Sequence, residues 1–130
     1  MKISMLNVYH CSPDYITSFD YSRGVHFGGL VSALTAGLRK ANQIGEEYLY
    51  LHYCTLDDSK YTEVDDIGAD WEFTFLAPLV YKYINKYEPD TISSWYIRNP
   101  DSVLLYKVIK LSINEAELML DKYDLYSIFS

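Results

Sequence analysis

The apolar positions of this chain fall first into a short run, then into a helical rhythm, then into a two-residue alternation. That succession predicts a mixed architecture. Residues 5 to 10 are apolar and β-prone, and Ser12-Pro13-Asp14 breaks the strand they form. Tyr15, Ile16 and Phe19 read as anchors of a short helical turn or an ordered loop. From Gly24 to Gly29 the β-formers Val25 and Phe27 stand among glycines. Leu30, Ala33, Leu34 and Leu38 then recur at helical spacing, with Ala41 a turn further on. They predict a helix from about Leu30 to Asn42, with Gly45 as its stop.

Tyr48 to Cys54 alternates as a strand, with Leu49, Leu51 and Tyr53 on one face and Tyr50, His52 and Cys54 on the other. Asp57 to Asp70 is polar and acidic, which suits a surface loop or a short irregular helix. Phe75, Leu79 and Tyr83 stand four apart and predict a helix over Trp71 to Lys86, in which Pro78 belongs early or marks a break. Ile92 to Ile97 and Val103 to Leu111 read as strands around the turn Arg98-Asn99-Pro100-Asp101. Asn114 to Tyr123 has the period of a short amphipathic helix, and Leu125 to Phe129 could add an edge strand. No internal repeat, low-complexity tract or linker interrupts the chain. Strands mixed with few helices, without regular βαβ alternation, predict an α+β fold in one domain over residues 1–130.

Composition narrows the classes. With 49% hydrophobic residues among 130, the chain can build one core without disulfide or metal staples. A formal charge of -7 repels phosphate backbones, so general nucleic-acid binding is disfavoured, although an acidic mimic of DNA fits the same charge. The 14 tyrosines suit half-buried strands and wet clefts. Two cysteines and no secretory leader predict reduced thiols and a cytoplasmic location, and no apolar run is long enough to cross a membrane.

The chemistry-bearing residues allow several readings. His10, Cys11, His26, His52 and Cys54 lack the spacing of a structural zinc site, so no metal is expected. Cys11 with a histidine could form a nucleophile pair, but nothing around it matches a thiol-protease signature. The stretch from Gly24 to Gly29 is not a G-x-G-x-x-G fingerprint. Its adjacent glycines still permit close backbone approach to a ligand, and the helix after them offers free N–H groups. A plain strand-to-helix turn with Phe27 in the core uses the same residues. Arg23 and Arg98 could each pair with a pyrophosphate or simply face solvent.

Tyr9-His10-Cys11-Ser12, then Gly24-Val25-His26-Phe27-Gly28, then Ala33 and Ala36 on the following helix form an ordered set. It resembles the "YHGT/S … GIHFGT … A" pattern of ADP-ribosyltransferases of the small phage and mobile-element kind, which include a compact anti-CRISPR enzyme. Tyr50 to Asp57 falls where such proteins carry a central strand, and Ser93 to Val103 resembles their "STSWIVFDPSQI" ending. The likeness spans roughly residues 8 to 110 in three short blocks.

The resemblance implies a split β-sheet with NAD, the substrate, between its halves. It implies that His10 bonds a ribose hydroxyl and that the backbone at Cys11 holds the nicotinamide carboxamide. Ser12 would bond the adenosine side or brace the loop, and Phe27 or His26 would stack on nicotinamide. Glu88 and Asp90 stand in the region of the family's catalytic acid, where fixed negative charge would meet a ribose cation. A host protein is the implied acceptor, in phage counter-defence or host takeover. Two departures stand out: Cys11 replaces the usual glycine and is expected to crowd the nicotinamide, and the usual E-x-E is absent. If the acid belongs on the strand itself, it has become Ser93 or Ser94. The alternative is an inactive relative whose acidic, tyrosine-rich surface inhibits a basic host partner by binding it.

Overall fold

The computed structural model describes residues 5–63, 80–83 and 94–129. In chain order these form β1 (Met5–Ser12), β2 (Val25–Phe27), α1 (Leu30–Ile44), β3 (Tyr48–Asp57), β4 (Thr62–Glu63), β5 (Val80–Tyr83), β6 (Ser94–Ile97), β7 (Val103–Ser112) and α2 (Ile113–Phe129). The class is α+β. One sheet is antiparallel in the order β1-β3-β7, and the other is mixed in the order β2-β6-β5-β4. Among the described residues one backbone bridge links them: Tyr9 N–H donates to the Gly28 carbonyl at 2.8 Å, and Gly28 N–H returns a bond to the Tyr9 carbonyl at 3.1 Å.

The alternation of β3 decides what each side of the first sheet covers. Leu49, Leu51 and Tyr53 face α1 and α2, where Leu34, Leu38, Ala41, Leu111 and Ala116 complete an aliphatic layer. Cys54 and Leu56 face the second sheet, where Val8, Phe19, Val25, Phe27, Trp95 and Ile97 complete a largely aromatic layer. Each fully buried leucine contributes roughly 1.5–3 kcal/mol of transfer free energy.

Helix α1 runs two residues beyond its predicted end and stops at Gly45, whose φ of 74° suits a residue without Cβ. Gly37 lets this helix lie directly on β1, because a Cβ there would come within 2.5 Å of Cys11 Sγ. The predicted helix over Trp71 to Lys86 is not what its described part forms: Val80–Tyr83 is a strand. Val80, Tyr81 and Tyr83 favour a pleated surface, and β5 is paired on both sides, parallel to β4 and antiparallel to β6. The rest of that segment, and residues 92–93 of the next predicted strand, lie outside the described residues. The expected loop after Asp57 contributes the two-residue strand β4, and residues 64–70 of it lie outside the described residues.

The C-terminal expectation also changes. Helix α2 begins at Ile113 and continues to Phe129, so no edge strand forms over Leu125 to Phe129. A capping box starts it: Glu115 N–H donates to Ser112 Oγ at 3.1 Å, and Ser112 N–H donates to Glu115 Oε1 at 3.0 Å. The turn before β7 is closed by Asn99, whose side chain accepts from Asp101 N–H at 3.1 Å. Among the described residues, no helix is long and apolar enough to cross a membrane.

Candidate functional site

Beside the Tyr9–Gly28 bridge lies a cleft of about 120 Å³, where β1, the glycine turn, the first turns of α1, Tyr83 and Ser94 converge. That is below the roughly 300–1,000 Å³ of pockets enclosing a whole drug-sized ligand. It suits one flat ring with its attached group. A larger hollow, about 260 Å³, lies between Thr17, Tyr21, Pro100 and Leu105. Its one ionisable side chain, Tyr21, is pushed up to about 12 by burial, with Cys54 adding to the shift. The smaller cleft therefore holds the better chemistry.

His10 and His52 are cross-strand partners on β1 and β3, yet they are held differently. His52 is wholly buried. Its Nδ1 donates to the His10 carbonyl at 3.1 Å, and its Nε2 accepts from Ile16 N–H at 3.0 Å. Both nitrogens serve the backbone, so this ring ties the loop after Ser12 to the sheet. Burial lowers its pKa, against the raising effect of its backbone hydrogen bonds, which favours the neutral ring that this bonding requires.

His10 uses Nδ1 to donate to the His26 carbonyl at 3.0 Å, which makes Nε2 the acceptor of a neutral ring. The rings of Phe19, Phe27 and His52 surround it edge-on at centroid distances of 5.2, 6.0 and 5.8 Å. Burial, then the neighbouring His52 and Lys40 charges, lower its pKa, although the bond to His26 opposes them. His26 is part of the cleft wall, with the Tyr83 hydroxyl 2.8 Å from its Nδ1 and the Tyr96 ring 5.0 Å away. Although part of its ring is open, desolvation lowers its pKa and His10 lowers it further.

The other predicted binding residues take quieter places. The Cys11 side chain turns to α1, against the space left by Gly37, so its sulfur packs under the helix. Burial pushes its thiol up to about 12, and that of Cys54 likewise, which disfavours the thiolate a nucleophile needs. Ser12 Oγ accepts from Asp14 N–H at 3.1 Å and so braces the loop. Phe27 is 2% exposed within the inter-sheet layer, which leaves His26 as the more open ring.

Glu88 and Asp90 lie outside the described residues, as does the Arg23 side chain. Arg98 donates from Nη2 to the Ser22 carbonyl at 3.1 Å. No group of three or more His, Cys, Asp or Glu among the described residues could hold a metal.

The cleft also contains residues that sequence reasoning did not assign to ligand binding: Ser32, Tyr83 and Ser94. Ser32 follows the glycine turn closely enough to have been found. Tyr83 reaches the cleft through β-pairing, and no local pattern marks it, whereas Ser94 belongs to the Ser93 to Val103 block and was singled out there only as a position the catalytic acid could have had. Compared with known proteins, the chain matches no family model, no curated protein and no solved structure.

Proposed function

We propose that the chain binds NAD as substrate in this cleft and transfers ADP-ribose to a host protein, as an ADP-ribosyltransferase-like factor of phage type working in the host cytoplasm. One observation carries the reading. Two of the three sequence blocks behind the resemblance meet at one place: the first brings His10 on β1 with His26 and Gly28 at the glycine turn, and the last brings Ser94 on β6.

When bound, NAD supplies a ribose–nicotinamide bond that breaks with the electron pair leaving on nicotinamide and positive charge left on the ribose. His10 Nε2 accepts a hydrogen bond from a ribose hydroxyl, while burial favours the neutral ring and the Nδ1 bond to the His26 carbonyl fixes its orientation. His26, held by Tyr83, flanks the flat ring. Cys11 is no obstacle in this arrangement, because its sulfur belongs to the helix side. Glu88 or Asp90 supplies the carboxylate that stabilises the ribose cation and takes the proton of the attacking side chain.

Incubation with labelled NAD and host lysate should give label transfer to protein and release of nicotinamide. Asp90→Ala or Glu88→Ala should keep NAD binding and lose turnover. Absence of transfer, nicotinamide release and calorimetric NAD binding together would end this reading. The rival, a non-catalytic inhibitor that binds a host protein, draws on β7. Among the described residues this strand pairs only with β3, and it exposes Leu104 and Tyr106. That rival predicts partner association unchanged by His10→Ala and no covalent mark on the partner.

A further inference from the structure

Strand β7 ends the first sheet and, among the described residues, pairs only with β3. Its 10 residues contain no proline and are hydrophobic apart from Lys107, Lys110 and Ser112. An edge of that length offers a row of amides and carbonyls on which another extended chain can add. It is also uncovered, with Leu104 and Tyr106 62% and 53% exposed.

The register locates the usable part of this edge. Pairing with β3 passes from Tyr53–Lys107 to Cys54–Leu105, so Tyr106 is an extra residue in a bulge. Tyr106 and Lys107 are exposed in succession for that reason, against the alternation of a strand. The bulge leaves Lys107 to Ser112 as the longest regular stretch. Within it Lys107 shares the helix side of the sheet with Ile109 and Leu111, and Lys110 stands on the opposite side. Both lysines are exposed, and each Nζ lies over a β3 tyrosine ring, 5.1 Å from the centroid of Tyr53 and 4.2 Å from that of Tyr48. One ammonium group is thus present on each side of the sheet.

Charge decides between occupants. No carboxylate occurs from Val103 to Ser112, so this strand is positive in a chain whose net charge is -7. A second copy paired along β7 would bring two lysines from each strand and a carboxylate from neither, and like charges facing each other destabilise a strand pair. An acidic strand gains where a second copy loses. Carboxylates three residues apart on an extended segment fall on opposite faces, as Lys107 and Lys110 do.

We propose that the edge from Lys107 to Ser112 accepts an extended acidic segment of a partner protein by strand addition, with two carboxylates three residues apart facing the two lysines. Backbone hydrogen bonds supply the affinity and the carboxylate spacing the selectivity. This inference stands apart from the cleft and does not require NAD.

The probe is a fluorescent peptide of valine and threonine with two glutamates three apart. Anisotropy reads its binding, and hydrogen exchange reads where it binds. Exchange should slow over residues 107–111, and a peptide with lysines in place of the glutamates should not bind. Glutamates two apart share one face and should bind about two- to fivefold more weakly, one charge pair being lost. Lys107→Glu combined with Lys110→Glu should weaken binding about tenfold or more, because both pairs become repulsive. These positions are exposed, so the variant remains folded. Lys60→Glu combined with Lys122→Glu makes the same charge change at other exposed positions and should leave the affinity nearly unchanged. No binding of the first peptide, equal affinity for the two glutamate spacings, equal affinity in the β7 variant, or protection away from 107–111 would overturn the proposal. Concentration-dependent protection of 107–111 in the protein alone would also overturn it, with a second copy as the occupant. None of these outcomes bears on NAD binding, which calorimetry measures separately.

Discussion

The buried apolar layer between the first sheet and the helices is built from leucine and alanine with Cys11 among them. The layer between the two sheets is built from Phe19, Phe27 and Trp95, with the His10 and His52 rings edge-on to Phe19. Both layers bury apolar surface, so both stabilise the fold. The second is the one that the histidine rings border, and the cleft opens beside those rings. His10 and His52 show the transition most clearly. They face each other across β1 and β3, one with both nitrogens spent on the backbone and the other with one nitrogen so used. A structural imidazole thus stands next to the one we assign to the ligand, and the first helps to shape the place of the second.

If this division is right, damage to the two layers should read out differently. Leu51→Ala empties a fully buried site in the aliphatic layer and should lower stability by about 2–5 kcal/mol in urea unfolding. His52→Ala should come next. It leaves Ile16 N–H and the His10 carbonyl without their partner, a loss of about 1–3 kcal/mol, and it should loosen the 13–19 loop in hydrogen exchange. An unchanged exchange rate at Ile16 would refute the tie.

Gly37→Ala pushes a methyl group onto Cys11 and should lower stability by roughly 1–3 kcal/mol. Adding Cys11→Gly removes the two closest atoms, Sγ and Cβ, and leaves the Cys11 carbonyl oxygen at 3.1 Å, so the double variant should be more stable than Gly37→Ala alone. A double variant no more stable than the single one would show that the close approach of α1 to β1 is misread.

Acid should have the most gradual effect. All three histidines have pKa values below their ordinary 6.5, with burial the main cause. Below about pH 6.5 the unfolded chain therefore binds more protons than the folded one, and stability falls as pH falls. The histidine contribution should be complete above pH 6.5 and diminish progressively below it. A melting temperature that rises on acidification from pH 7 to 5.5 would contradict the neutral, buried rings.

Helix α1 and the faces of β3 were legible because their apolar spacing survives folding unchanged. Strand β5 was not, because Phe75, Leu79 and Tyr83 imitate a helical period while pairing with β6 decides the outcome for Val80–Tyr83. The signal for the start of α2 was present, in Ser112 and Glu115 three apart, and it outweighs the weaker period that placed the start at Asn114. In the site, His10 and His26 stand out beside a strand end and a glycine turn. Tyr83 is 57 residues from its partner His26 and becomes visible only when the second sheet assembles. The direction of Cys11 was also hidden. Its side chain looked like an obstacle until Gly37 showed where the helix makes room for it.

The most direct measurement is calorimetric titration of NAD into the protein and into His10→Ala, with thermal unfolding of both. The cleft assignment predicts that the unmodified protein binds NAD and that His10→Ala loses at least tenfold in affinity, the order expected for a lost hydrogen bond in a desolvated site, while remaining folded. Equal NAD affinity in the two folded proteins, or no NAD binding by the unmodified protein, would contradict it.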